Sequence, residues 1–123
     1  MIEVVSYIRT WSALNERCHW STRARRAKHE RHSIGWLLAG KTRPEPPIRV
    51  VMTRRGPTSG LDDDNLAGAL KGIRDGIATW LGIDDGDQRI TWVCKQQRMK
   101  MWSVLVQIVP RTALRKKLTK PTT

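Results

Sequence analysis

The strongest constraint on this chain is a helical stripe of apolar residues, Leu66, Leu70, Ile73, Ile77 and Leu81, closed by Gly82. Steps of three and four put these side chains on one face of a helix, and that face must be buried. The covering surface comes from segments that alternate at period two. Ile2–Ile8 and Ile48–Thr53 read as strands. Arg89–Gln96 sets Ile90, Trp92 and Cys94 against Thr91, Val93 and Lys95, and Met101–Val109 gathers Trp102, Val104, Val106 and Ile108. The short basic turn Gln97–Lys100 between these last two predicts a hairpin. An earlier helix is expected from Glu16 to about Ala39, after capping residues in Ser12–Asn15 and before Gly40. The predicted order is βαβαββ, a single α+β domain whose mixed β-sheet is packed by two main helices. A length of 123 residues suits one domain. Residues 1–110 are expected to form it. Residues 111–123, with Arg115, Lys116, Lys117 and Lys120, are expected to be a flexible basic tail. Phe is absent, so Trp20, Trp36, Trp80, Trp92 and Trp102 are expected in the core.

Charge bears on partners rather than on fold. The formal net charge is +12 and the pI is about 10.9. Lysine and arginine release counterions from phosphate, so nucleic acid is the expected partner. No stretch has the length of a membrane span or the pattern of a secretory signal, so neither a membrane nor a secreted setting is expected. Two cysteines, Cys18 and Cys94, make no disulfide framework, and a reducing cytoplasm is expected. Cys18, His19, His29 and His32 match no common zinc spacing.

Against that positive background the acids are concentrated. Seven of the eleven, including every Asp, lie between positions 62 and 87. Grouped carboxylates raise one another's pKa, and a divalent cation relieves that cost through oxygen ligands. A purely structural reading also exists: Asp64 capping the helix, Asp62 and Asp63 favouring its dipole, and Asp84–Asp87 forming a turn. Two clusters bracketing one helix in so basic a chain favour the metal reading. The spacing is not that of an EF-hand. Asp62 and Asp64 alternate along what reads as an extended segment, so their side chains are expected to point the same way, with Asp85 approaching from the loop after the helix. Asp64, Gly68, Lys71 and Asp75 should form an exposed ridge, with Gly68 leaving room for a phosphate backbone.

Together, Asp62-Asp63-Asp64-Asn65-Leu66, Lys71, Asp75, Asp84-Asp85 and Lys95 resemble the RusA-type Holliday junction resolvases over residues 48–108. That family has an Asp-x-Asp-Asn-Leu segment opening a helix, a lysine and an Asp further along it, an Asp-Asp pair after it and a lysine in the next strand. The resemblance implies Mg²⁺ or Mn²⁺ bound by Asp62, Asp64 and Asp85, no organic cofactor, and Lys71 as the catalytic lysine. The family lysine stands four residues after the second Asp. Here Gly68 takes that position and Lys71 stands at seven, which leaves Arg74 and Lys95 as other candidates for the role. The resemblance also implies a homodimer nicking opposed strands of a four-way junction, in a bacterial cytoplasm and often in a phage or prophage setting. Arg23, Arg26, Arg54, Arg55, Lys95, Arg98 and Lys100 are the expected DNA contacts. The rival readings are a non-catalytic binder of branched DNA and a nuclease acting on flaps, forks or RNA.

Overall fold

A computed structural model describes residues 1–10, 20–58 and 60–111. The order is β1 (Ile2–Ser6), α1 (Trp20–Leu38), β2 (Ile48–Gly56), α2 (Asp63–Ala69), α3 (Lys71–Leu81), β3 (Ile90–Arg98) and β4 (Ser103–Pro110). This is the expected α+β domain with one mixed sheet. The expected start of the first helix at Glu16, the residues Cys18 and His19, and the tail after Arg111 lie outside the described residues.

The second helix differs from expectation. It is interrupted at Leu70, which has φ −99° and ψ 1° and divides it into α2 and α3. Leu70 is fully buried, and its backbone still links the two segments: its N–H bonds to Leu66 O and Ala67 O, and its C=O accepts from Arg74 N. The apolar stripe survives the break. Leu66, Leu70, Ile73 and Ile77 are all buried. Asp64 and Gly68 now belong to one helix and Lys71 and Asp75 to the next, so the expected ridge is divided.

The sheet order is β1-β4-β2-β3. β2 runs parallel to β3 and antiparallel to β4, which is antiparallel to β1. The predicted β3–β4 hairpin is therefore wrong, because β2 lies between them. Alternation reveals which face a side chain occupies but not which strand lies beside it. A continuous apolar run such as Ile48–Met52 suits an interior strand, and β2 is buried along nearly its whole length. The chain after β3 crosses the end of β2, where Met99 N–H bonds to Gly56 O. Trp102 then lies over Gly56, in space that any Cβ there would invade.

One sheet face carries Ile2, Val4 and Ser6 of β1, Val104, Val106 and Ile108 of β4, Ile48, Val50, Met52 and Arg54 of β2, and Ile90, Trp92, Cys94 and Gln96 of β3. Its central side chains join Ile34 and Leu38 of α1 and the α2–α3 stripe in a single core. Gly76 lets α3 approach α1 closely, since a Cβ there would collide with Ile34 and lie 2.9 Å from Arg31 O. Val5, Val51, Val93 and Leu105 line the opposite face, which no described helix covers. The tryptophans correct the expected core. Trp20 and Trp36 are 71% and 81% exposed, whereas Trp80, Trp92 and Trp102 are half-buried. Ile, Leu, Val and Met fill the interior instead.

Candidate functional site

β1, β2 and β3 all run the same way, so their carboxyl ends meet at one edge. In open parallel α/β sheets ligands bind outside that edge, and here β2, α2–α3 and β3 form one parallel unit of that kind. The edge gathers Arg9 and Thr10 after β1, Arg54–Thr58 at the end of β2, and Gln96–Arg98 at the end of β3.

Gln96 fastens the start of α2 to this edge. Its Oε1 accepts from Gly60 N and Leu61 N, each at 3.2 Å, and its Nε2 donates to Leu61 O at 2.7 Å. Asp62 follows directly. It, rather than Asp64, is the N-cap, with Oδ1 accepting from Asn65 N at 2.9 Å. Asp63 and Asp64 are the first helical residues and are exposed. The expected common direction of Asp62 and Asp64 assumed extended backbone at both. Asp64 is helical, and residues two apart on a helix do not face each other. Among the described residues none of these three carboxylates pairs with a cation, although the chain has 23 lysines and arginines.

Asp85 lies in the loop between α3 and β3 and is fastened to β3 at another point. Its C=O accepts from Trp92 Nε1 at 2.8 Å and from Arg74 Nη2 at 3.0 Å. Its Oδ2 is 3.4 Å from Arg74 Nε, an electrostatic contact in which Nε has no hydrogen-bond partner. Arg74 also stacks over Trp92, 4.9 Å from the ring centroid. Trp92 and Gln96, the two anchors, are four residues apart on one strand, about 13 Å at the usual rise. Among the described residues no three His, Cys, Asp or Glu side chains are drawn into one metal-binding group. Asp62 and Asp64 therefore share one helix start without facing the same way, while Asp85 is engaged by Arg74 and Trp92. The carboxylate donors suit Mg²⁺ or Mn²⁺ chemically, and the lack of a protein cation at Asp62–Asp64 fits an external one. Asp85 is engaged by Arg74 instead.

Much of the second acidic cluster is turn structure. Asp84 Oδ1 accepts from Gly86 N at 2.9 Å, and this bond is the main cause holding the Asp84 carboxyl below its ordinary pKa. Asp87 accepts from Arg89 N, Nε and Nη2, and those bonds bring it to about 2. Between the anchors lies Cys94, whose thiol is pushed up by burial and eased back by the charge of Arg74.

Lys71 is exposed at the start of α3 and makes no ion pair with Asp75 among the described residues. Lys95 lies on the sheet face opposite the described helices, and Arg74 is committed to Asp85. The expected DNA contacts fall into three groups. Arg54, Arg98 and Lys100 are at the carboxyl edge. Arg55, bonded to Ser103 Oγ at 3.0 Å, and Lys95 are on the sheet face opposite the described helices. Arg23 and Arg26 are on α1. Sequence reasoning missed Gln96, Thr10, Arg9 and Trp102. Only the register joining Arg54 to Gln96, and the chain crossing over Gly56, bring these positions together. The chain matches no protein-family model and no curated protein.

Proposed function

We propose that this chain is a metal-dependent endonuclease that resolves branched DNA, four-way junctions above all, by paired nicks. The observation that carries the reading is the trio Asp62, Asp63 and Asp64, uncompensated by any described protein cation and clamped by Gln96 beside a basic strand edge. The likeness of the 62–95 motif to RusA-type resolvases supports it, and implies a homodimer in a bacterial cytoplasm, of phage or prophage origin. A two-fold enzyme suits a junction with two-fold symmetry.

Asp62, through the oxygen not used in capping, and Asp64 are the residues that would hold Mg²⁺ or Mn²⁺. Such an ion supplies an activated water and neutralises phosphate charge. The chain's own work is to orient the substrate. Arg98 and Lys100 attract the backbone at the carboxyl edge, and Lys71 offers a cation near the junction of α2 and α3. Asp85 would join the site only by exchanging its Arg74 contact. That contact favours a second reading, a non-catalytic binder in which the acids are structural.

The test is cleavage of a synthetic four-way junction in Mg²⁺, in Mn²⁺ and in a chelator, with flap, fork, RNA and duplex controls. The wild type is expected to nick the junction only with metal, and Asp64→Asn to lose at least about 100-fold, the scale of removing one charge-stabilising group. No cutting with either ion, or wild-type rates in Asp64→Asn, would refute the nuclease reading. Preference for a flap, a fork or RNA would redirect it.

A further inference from the structure

Arg54 is the most deeply buried cation described, 5% exposed, and no described carboxylate pairs with it. Its partners are neutral. Nε donates to Thr10 Oγ1 at 2.9 Å and Nη1 donates to Thr58 O at 3.2 Å. Its guanidinium lies 4.9 Å from the centroid of the Trp102 ring, and Arg9 brings a second guanidinium to 5.0 Å from the same ring. Burial, followed by the charge of Arg9, pulls the Arg54 pKa below the ordinary arginine value.

Burying a charge without a counter-ion is costly, and this one is held rigidly. Trp102 fixes the guanidinium plane, Thr10 and the Thr58 carbonyl fix its rotation within that plane, and Gly56 makes room for the ring. An arginine has five N–H donors. Among the described residues Nη2 makes no hydrogen bond, which leaves that edge of the guanidinium unused. A planar guanidinium with a free edge matches two oxygens of a phosphate. The position suits such a ligand. Arg54 is the cross-strand neighbour of Gln96, which holds the residue before Asp62.

We propose that Arg54, held against Trp102 and joined there by Arg9, is a built subsite for a nucleic-acid phosphate, adjacent to the aspartates at the start of α2. This rests on the nucleic-acid part of the proposed function but not on cleavage. It assigns one phosphate beside the start of α2 a preformed receptor, in contrast to the mobile attraction of exposed lysines.

The experiment measures binding of a labelled four-way DNA junction to the full chain in EDTA, over a range of salt concentrations, for wild type, Arg54→Gln, Arg54→Lys, Arg9→Gln and Arg43→Gln. Arg43 is exposed at the other end of β2. Each phosphate contact adds about 0.9 to the slope of log affinity against log salt. Arg54→Gln is expected to lower the slope by about that much, and affinity about tenfold near 0.1 M salt. Arg9→Gln should also reduce the slope, Arg54→Lys should retain most of it, and Arg43→Gln should leave it unchanged. A folded Arg54→Gln with the wild-type slope would overturn the proposal, as would an equal fall in Arg43→Gln. If urea unfolding shows that Arg54→Gln has no folded state, Arg9→Gln decides: an unchanged slope there refutes the two-guanidinium site. Wild-type cleavage in Mg²⁺ is measured separately. Slope losses without cleavage would sink the nuclease reading alone, and cleavage with unaltered slopes would sink the subsite alone.

Discussion

Replacing Glu30 by Gln should stabilise this protein at alkaline pH and not at acid pH. Glu30 is half-buried on α1 and faces the start of α3, where a Cβ on Gly72 would lie 2.7 Å from its Oε1. Burial raises its carboxyl from 4.5 to about 7, against the opposing pull of Arg26 and Arg31. The unfolded chain releases this proton near 4.5, whereas the folded chain keeps it to about 7. Between those values the folded state holds the extra proton, so stability falls as pH rises. The contribution is complete below 4.5 and lost above about 7. At 1.36 kcal/mol per pH unit the whole interval corresponds to about 3 kcal/mol. Solvent reaching a half-buried group screens this to about 1–2 kcal/mol. Gln has the same shape and does not ionise. Urea unfolding of both proteins at about pH 4 and about pH 8.5 isolates the effect, because the other titrating groups are common to both. Glu30→Gln should gain about 1–2 kcal/mol on the wild type between the two conditions. A stability difference that is the same at both pH values would refute the reasoning.

Gly56→Ala should cost about 1–3 kcal/mol in urea unfolding, since its Cβ enters the space of the Trp102 ring. Gln96→Leu should cost about 1–3 kcal/mol by leaving Gly60 N, Leu61 N and Leu61 O without their partner. In a junction-cleavage assay the same variant should lose more than its stability change accounts for, because the aspartates are no longer clamped. Trp36→Ser should change stability by less than about 0.5 kcal/mol in urea unfolding, as expected for a side chain that is mostly in water.

The order of elements was legible because helix and strand periods are local. The Leu66–Leu81 stripe and the 90/92/94 alternation follow from the spacing of side chains along the backbone, and both turn towards the core, with Leu81, Trp92 and Cys94 only partly buried at its margin. Two local details escaped. The break at Leu70 leaves the buried stripe unchanged, so the pattern carries no trace of it. Asp62 and Asp64 compete for the capping position, and composition cannot choose between them. Strand neighbours also escaped, since β3 and β4 pack on opposite sides of β2 although a short turn joins them in sequence.

By itself the sequence determined the α+β elements, the apolar face of α2 and α3, the positive charge and the concentration of acids in 62–87, because each is a property of residues near one another in the chain. Only the tertiary structure decided that Asp85 answers to Arg74, that Gln96 holds the start of α2, and that Arg9, Arg54 and Trp102 meet. Those contacts join positions 11 or more residues apart. They are set by how the sheet orders its strands to bury one apolar face, which no local spacing encodes.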